Sequence, residues 1–82
     1  MRQTRTAIPT KYVTQVKRSI LQDFPGLEIE THKRGPRDFT LDVYGITDDI
    51  YERFSEVYEL TTDILIDHDV WIVVVPLPER DN

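Results

Sequence analysis

Apolar residues recur early in the chain at Val13, Val16, Ile20 and Phe24, with Tyr12 and Leu21 beside them. Steps of three and four place these side chains on one stripe of a helix. The pattern predicts a helix from Pro9 or Thr10 to Phe24, stopped by Pro25-Gly26, because neither residue sustains helical backbone well. The period then falls to two. Leu27, Ile29 and Thr31 alternate with Glu28, Glu30 and His32, and Phe39, Leu41 and Val43 alternate with Thr40, Asp42 and Tyr44. Both runs predict half-buried strands joined as a hairpin. With the apolar residues on one face, the expected pairs are Leu27 with Val43, Ile29 with Leu41 and Thr31 with Phe39. That register leaves Lys33-Arg34-Gly35-Pro36-Arg37 as a five-residue tip between His32 and Asp38, and a slip of one residue would invert a strand.

Gly45 ends the hairpin, and Thr47 is placed to cap a second helix whose first turn holds Asp48 and Asp49, where carboxylates favour the helix dipole. Ile50, Phe54, Val57 and Thr61 form its inward stripe, and Glu52, Glu56, Glu59 and Asp63 form an acidic ridge on the opposite side. Residues 64–67 fit either an extension of this helix or a short strand turning through His68-Asp69. The apolar run Val70 to Val75 predicts a strand buried on both faces, ended by Pro76. The order α-β-β-α-β defines a single α+β domain over residues 1–82, with an ordered core at about 8–77 and loose ends. Its two helices are expected on one face of a mixed sheet of three or four strands.

Charge adds what periodicity does not show. Residues 1–37 hold eight Lys and Arg against three acids, whereas residues 38–82 hold two against twelve. A bipolar surface steers partners of opposite sign to different ends. Cysteine is absent, which removes disulfides, thiolate metal sites and thiol nucleophiles. The first seven residues lack the apolar segment of a secretory signal, and the longest apolar run, Val70 to Leu77, is far short of the roughly 20 residues of a membrane helix. A soluble, cytoplasmic domain without a membrane partner is the expectation.

The candidate chemistry is sparse. The expected register sets Glu28 opposite Asp42, with Glu30 opposite Thr40. Facing carboxylates are unfavourable and call for a cation, a raised pKa or a bound metal. An oxygen-only cluster suits Mg²⁺, and Asp67 or Asp69 would complete a site if the last strand lies beside Asp42. In extended backbone, Asp67 and Asp69 share a face while His68 points away; a loop role is the simpler reading of this triplet. His32 is expected beside Asp38 as a local ion pair. Lys33, Arg34, Gly35 and Arg37 form a cationic tip that could hold a phosphate, lie along nucleic acid or meet an acidic partner. Ser19 and Ser55 lack a nucleophile turn, and neither G-x-x-x-x-G-K-[ST] nor G-x-G-x-x-G occurs. No catalytic residue is assigned.

The stretches Phe24 to Val43 and Asp63 to Pro76 together resemble the minimal nucleotidyltransferase domains of the DNA polymerase β superfamily. In that family a helix leads into a strand, a Gly-Ser loop, a strand bearing D-x-D, another helix and a strand with a third carboxylate. Glu30-Thr31 or Thr31-His32 stands at the Gly-Ser position here, and Thr40-x-Asp42 replaces D-x-D. Two-metal phosphoryl transfer needs carboxylates for both ions, so the resemblance implies a non-catalytic relative. The first functional expectation is therefore a nucleotidyltransferase-like or generic α+β module that acts through protein association or self-association and needs no cofactor. The alternatives are an Mg²⁺-dependent nucleotide-binding or nucleotidyl-transferring protein using Asp42 with Asp67 or Asp69, and nucleic-acid binding by the hairpin tip.

Overall fold

The computed structural model describes residues 9–80. Its elements are α1 (Pro9–Asp23), β1 (Glu28–Gly35), β2 (Asp38–Tyr44), α2 (Asp48–Glu52), α3 (Ser55–His68) and β3 (Trp71–Leu77). The sheet has the order β1-β2-β3; β1 runs antiparallel and β3 parallel to β2. The protein is thus an α+β domain with a mixed three-stranded sheet. The looseness expected of the two ends falls largely on residues 1–8 and 81–82, outside the described residues.

The helical stripe forms as expected: Tyr12, Val13, Val16, Ile20 and Phe24 are buried in one cluster with Phe39, Leu41 and Val43 of β2, Phe54 between α2 and α3, and Val57 and Ile64 of α3. Among the described residues, helices cover one face of the sheet only. Lys33 and Thr31, on the covered side of β1, remain exposed while Ile29 is half-buried, so the helical layer sits mainly over β2 and β3. Gly45 makes the exit from β2 possible. It adopts φ 100°, and a Cβ there would lie 3.2 Å from Leu27 Cδ2, a backbone and a contact that both favour glycine.

Three expectations are corrected, and one left open is decided. The hairpin pairs Ile29 with Val43, Thr31 with Leu41 and Lys33 with Phe39, two residues away from the expected register. A slip of two preserves every side chain's face, so alternation could not exclude it. Lys33 and Arg34 consequently belong to β1, a shift in register at Lys33/Gly35 adjusts the strand end, and Pro36-Arg37 alone makes the turn.

The second helix is two helices. Arg53 N–H bonds Ile50 O at 2.9 Å and Phe54 N–H bonds Tyr51 O at 3.1 Å, tightening the chain to a three-residue repeat that drives Phe54 fully into the core. Thr47 does cap α2, its side chain accepting from Ile50 N–H at 3.3 Å.

Residues 64–68 continue α3, and Asp69 closes it in left-handed backbone, φ 56° and ψ 42°. Ile64 decides this by extending the buried stripe of Val57 and Thr61.

Finally, β3 is an edge strand rather than a strand buried on both faces. Ile72 and Val74 are buried beneath the helices, but Trp71 is 55% and Val73 47% exposed on the uncovered face. The strand continues through Pro76 to Leu77, which an edge tolerates because a proline's missing N–H need not serve a neighbour.

Candidate functional site

The uncovered face of the sheet is built by alternation. Its rungs are Asp38 with Trp71, Thr40 with Val73, Asp42 with Val75 and Tyr44 with Leu77, and β1 adds His32, Glu30 and Glu28 opposite Thr40, Asp42 and Tyr44. The face is divided lengthwise: charge lies on β1 and β2, and apolar side chains lie on β3.

On the charged half, Glu30 rather than Glu28 faces Asp42. The repulsion expected from paired carboxylates is met by two side chains. His32 Nε2 lies 3.1 Å from Glu30 Oε1 and 3.0 Å from Asp42 Oδ2, in place of the expected contact with Asp38. From the C-terminal segment, Arg80 reaches Glu30 at 3.3 Å and Glu28 at 3.6 Å. Its guanidinium also stacks 4.0 Å from the Tyr44 ring centroid, and the hydrogen bond to Glu30 raises its pKa further above the usual range. Glu30, His32 and Asp42 each offer a ligand atom within 4.8 Å of the others; the contacts of His32 Nε2 with both carboxylates and of Arg80 with Glu30 hold this grouping together.

The expected Mg²⁺ residues are dispersed. Asp42 is level with Val75 on β3, whereas Asp69 precedes Trp71, four strand residues earlier, about 13 Å or more away at ~3.3 Å per residue. Asp67 is exposed on α3, near Tyr12 and His68 on the helical side of the molecule. Only Glu28 remains on the same face as Asp42. The Asp67-His68-Asp69 triplet instead terminates a helix. The imidazole of His68 stacks on Tyr12 with centroids 4.3 Å apart, and Tyr12 Oη lies 3.2 Å from His68 Nδ1.

The cationic tip also separates. Lys33 shares the face of Phe39, Arg34 turns to the other face and donates to Thr40 Oγ1 at 3.3 Å, and Gly35 pairs with Asp38 at the strand end. Arg37 is committed elsewhere. Its Nε donates to Asp69 O at 2.9 Å and its Nη2 to His68 O, satisfying carbonyls at the negative end of α3. This fastening of the hairpin turn to a helix terminus has no signature in the sequence, because the partners are main-chain atoms 31 and 32 residues away. The acidic side chains Glu52, Glu56, Glu59 and Asp63 are all exposed on α2 and α3. Among the described residues no salt bridge joins them to Lys11, Lys17 or Arg18 of α1.

Asp69 provides a direct test of the triplet's structural role. Replacing it with glycine relieves the left-handed backbone and removes a carboxylate from a helix C-terminus, so Asp69→Gly should stabilise the fold by about 0.5–1 kcal/mol. Urea denaturation of both proteins measures this; a loss of stability would show that the Asp69 carboxylate has a favourable structural role.

The apolar half is less neutralised. Trp71 and Val73 are exposed, and Val75 and Leu77 half-buried, along a strand that, among the described residues, pairs on one side only. The edge polarity follows from two bonds: Trp71 N–H donates to Arg37 O at 2.8 Å and Leu77 O accepts from Ile46 N–H at 2.9 Å. Successive residues of a strand point their backbone groups to opposite sides. Ile72 and Val74 therefore direct N–H and C=O outward, while Pro76 directs only C=O. Sequence reading missed this surface because the same apolar residues also suit a doubly covered strand.

No family model, curated protein or solved structure matches this chain. Among the described residues, no helix is long and apolar enough to cross a membrane.

Proposed function

We propose that this domain is a non-catalytic association module that binds protein through the β3 side of its sheet. The observation carrying this reading is an apolar edge with no strand partner among the described residues: the outward backbone groups of Ile72 and Val74 adjoin the exposed side chains of Trp71 and Val73. An edge strand is a template for a further strand, and strand addition combines main-chain hydrogen bonds with side-chain contacts on alternate residues. The competing enzymatic reading draws less support from the geometry, since Asp42 is separated from Asp67 and Asp69. Likewise, the dispersal of Lys33, Arg34 and Arg37 does not build one phosphate pocket.

The test uses low-micromolar protein and a peptide carrying residues 70–77 between solubilising lysines, with phenylalanine replacing its tryptophan. Strand addition should slow exchange of the Ile72 and Val74 amides by about tenfold or more, as hydrogen bonding closes them to solvent, and shift the emission of the protein's single tryptophan to the blue. Unchanged amide exchange and emission at millimolar peptide would sink the proposal.

A further inference from the structure

Resting on that reading, we infer that the occupant of the β3 edge is a second copy of this chain, paired antiparallel about a two-fold axis that passes between the two Val73 residues. The resulting sheet has six strands in the order β1-β2-β3-β3-β2-β1.

Three features favour a copy of the chain. First, the two edges of the sheet differ in protection. The β1 edge carries Glu28, Glu30, Lys33 and Arg34, charged residues that discourage strand pairing. Residues 70–78 carry none. An isologous axis places each residue near its own counterpart, so an axis through a charged strand would gather like charges, whereas β3 brings none together.

Second, the outward groups select a register. With Val73 opposite Val73, Ile72 of each copy faces Val74 of the other as a hydrogen-bonded pair. Both outward N–H groups then meet outward C=O groups, and Pro76 falls beyond these bonded pairs. Moving the axis to Val74 sets Pro76 against Ile72, where the missing N–H leaves the Ile72 carbonyl without a donor. The favoured register also lays Trp71 beside Val75 of the partner and Val73 beside its counterpart. The exposed apolar stripe thereby becomes continuous across the axis.

Third, the helical layer presents a compatible surface. Tyr12 of α1 lies beside Leu60, Asp63, Ile64 and Asp67 of α3. The opposite flank of α3 is uncharged at Tyr58, Thr62 and Ile66, spaced four apart, with Ile66 73% and Tyr58 37% exposed. Because α3 packs on β3 and α1 leads into β1, this flank lies toward the β3 edge. A second copy would approach it beside Glu59 and Asp63, which line the same surface depression as Tyr58 and Thr62. One strand edge and a helix flank make an interface smaller than the ~1,600 Å² usual for stable complexes. A weak, concentration-dependent dimer is expected of an interface this small.

The absence of cysteine makes crosslinking a clean test. At a non-hydrogen-bonded antiparallel pair the Cα atoms lie about 4.5 Å apart, within disulfide reach. Val73→Cys should form a linked dimer at least about tenfold faster than Val75→Cys, whose counterparts are about four residues out of register and roughly 13 Å apart. Sedimentation equilibrium of the unmodified chain should show a mass rising from monomer to dimer, and the Ile72 and Val74 amides should gain protection with concentration. The latter measurement does not depend on a variant's folding.

A Val73→Cys rate no faster than that of Val75→Cys would overturn the proposed axis even if the mass doubles. A mass that remains monomeric to millimolar concentration would overturn the second copy. If the peptide still protected Ile72 and Val74 in either case, the association reading would stand while this inference fell; loss of both responses would remove the two together.

Discussion

Trp71→Lys combined with Val73→Lys should leave the domain folded and weaken its self-association at least about 100-fold, a difference of about 2.7 kcal/mol at 25 °C. Both positions are exposed, so their change should cost the isolated domain little, within about 0.5 kcal/mol each where no special interaction is lost. In the paired form Val73→Lys sets an ammonium against its own counterpart, and the two substitutions together replace a continuous apolar stripe with charge. Desolvating an unpaired ammonium and opposing like charges both disfavour association. Sedimentation equilibrium measures the loss, and circular dichroism with thermal melting verifies the fold. Retained dimerisation in a folded variant would place the contact elsewhere, including between the basic tip and acidic ridge. High salt should weaken that charged contact strongly while leaving an apolar strand pairing largely intact.

The largest effect on stability is expected at Phe54. Its side chain is fully buried, with ring centroids 5.8 Å from Phe24 and 5.9 Å from Tyr58. It therefore joins α1 to the break between α2 and α3. Phe54→Ala removes this contact and leaves a cavity, at a cost of about 3–5 kcal/mol. Domains of this length have a total stability of only about 4–12 kcal/mol, and the corresponding fall in melting temperature is roughly 15–30 °C. Tyr51→Ala is the control, because Tyr51 is 56% exposed and should cost well below half as much. Equal losses at Phe54 and Tyr51 would contradict a core centred on the helix break.

The two sites show different degrees of legibility. Phe54 was visible as a core residue because its spacing from Ile50, Val57 and Thr61 follows a helical stripe. The break beside it was hidden, since no glycine or proline marks Arg53-Phe54 and the amphipathic spacing continues across it. In the hairpin, alternation identified the inward faces but permitted shifts of two residues. That error carried through to chemistry: it paired Glu28 with Asp42 and released Lys33 and Arg34 into a loop. The folded structure instead opposes Glu30 with Asp42 and draws His32 and Arg80 toward them. Arg80 lies fifty residues from Glu30, so no local pattern could join them.

The apolar run at Val70 to Val75 marks the limit most clearly. Its composition established a strand, and the chain's periodicities established an α+β domain with helices on one face, because side-chain spacing depends on local backbone repeat. Composition also excluded cysteine chemistry outright. Whether that strand was interior or peripheral depended on which strands became its neighbours and how far the helices extended across the sheet. Those are long-range facts about pairing and coverage. Tertiary structure alone decided that, among the described residues, β3 has β2 on one side and an open edge on the other, that Trp71 and Val73 face outward, and that Asp42 is separated from Asp67 and Asp69.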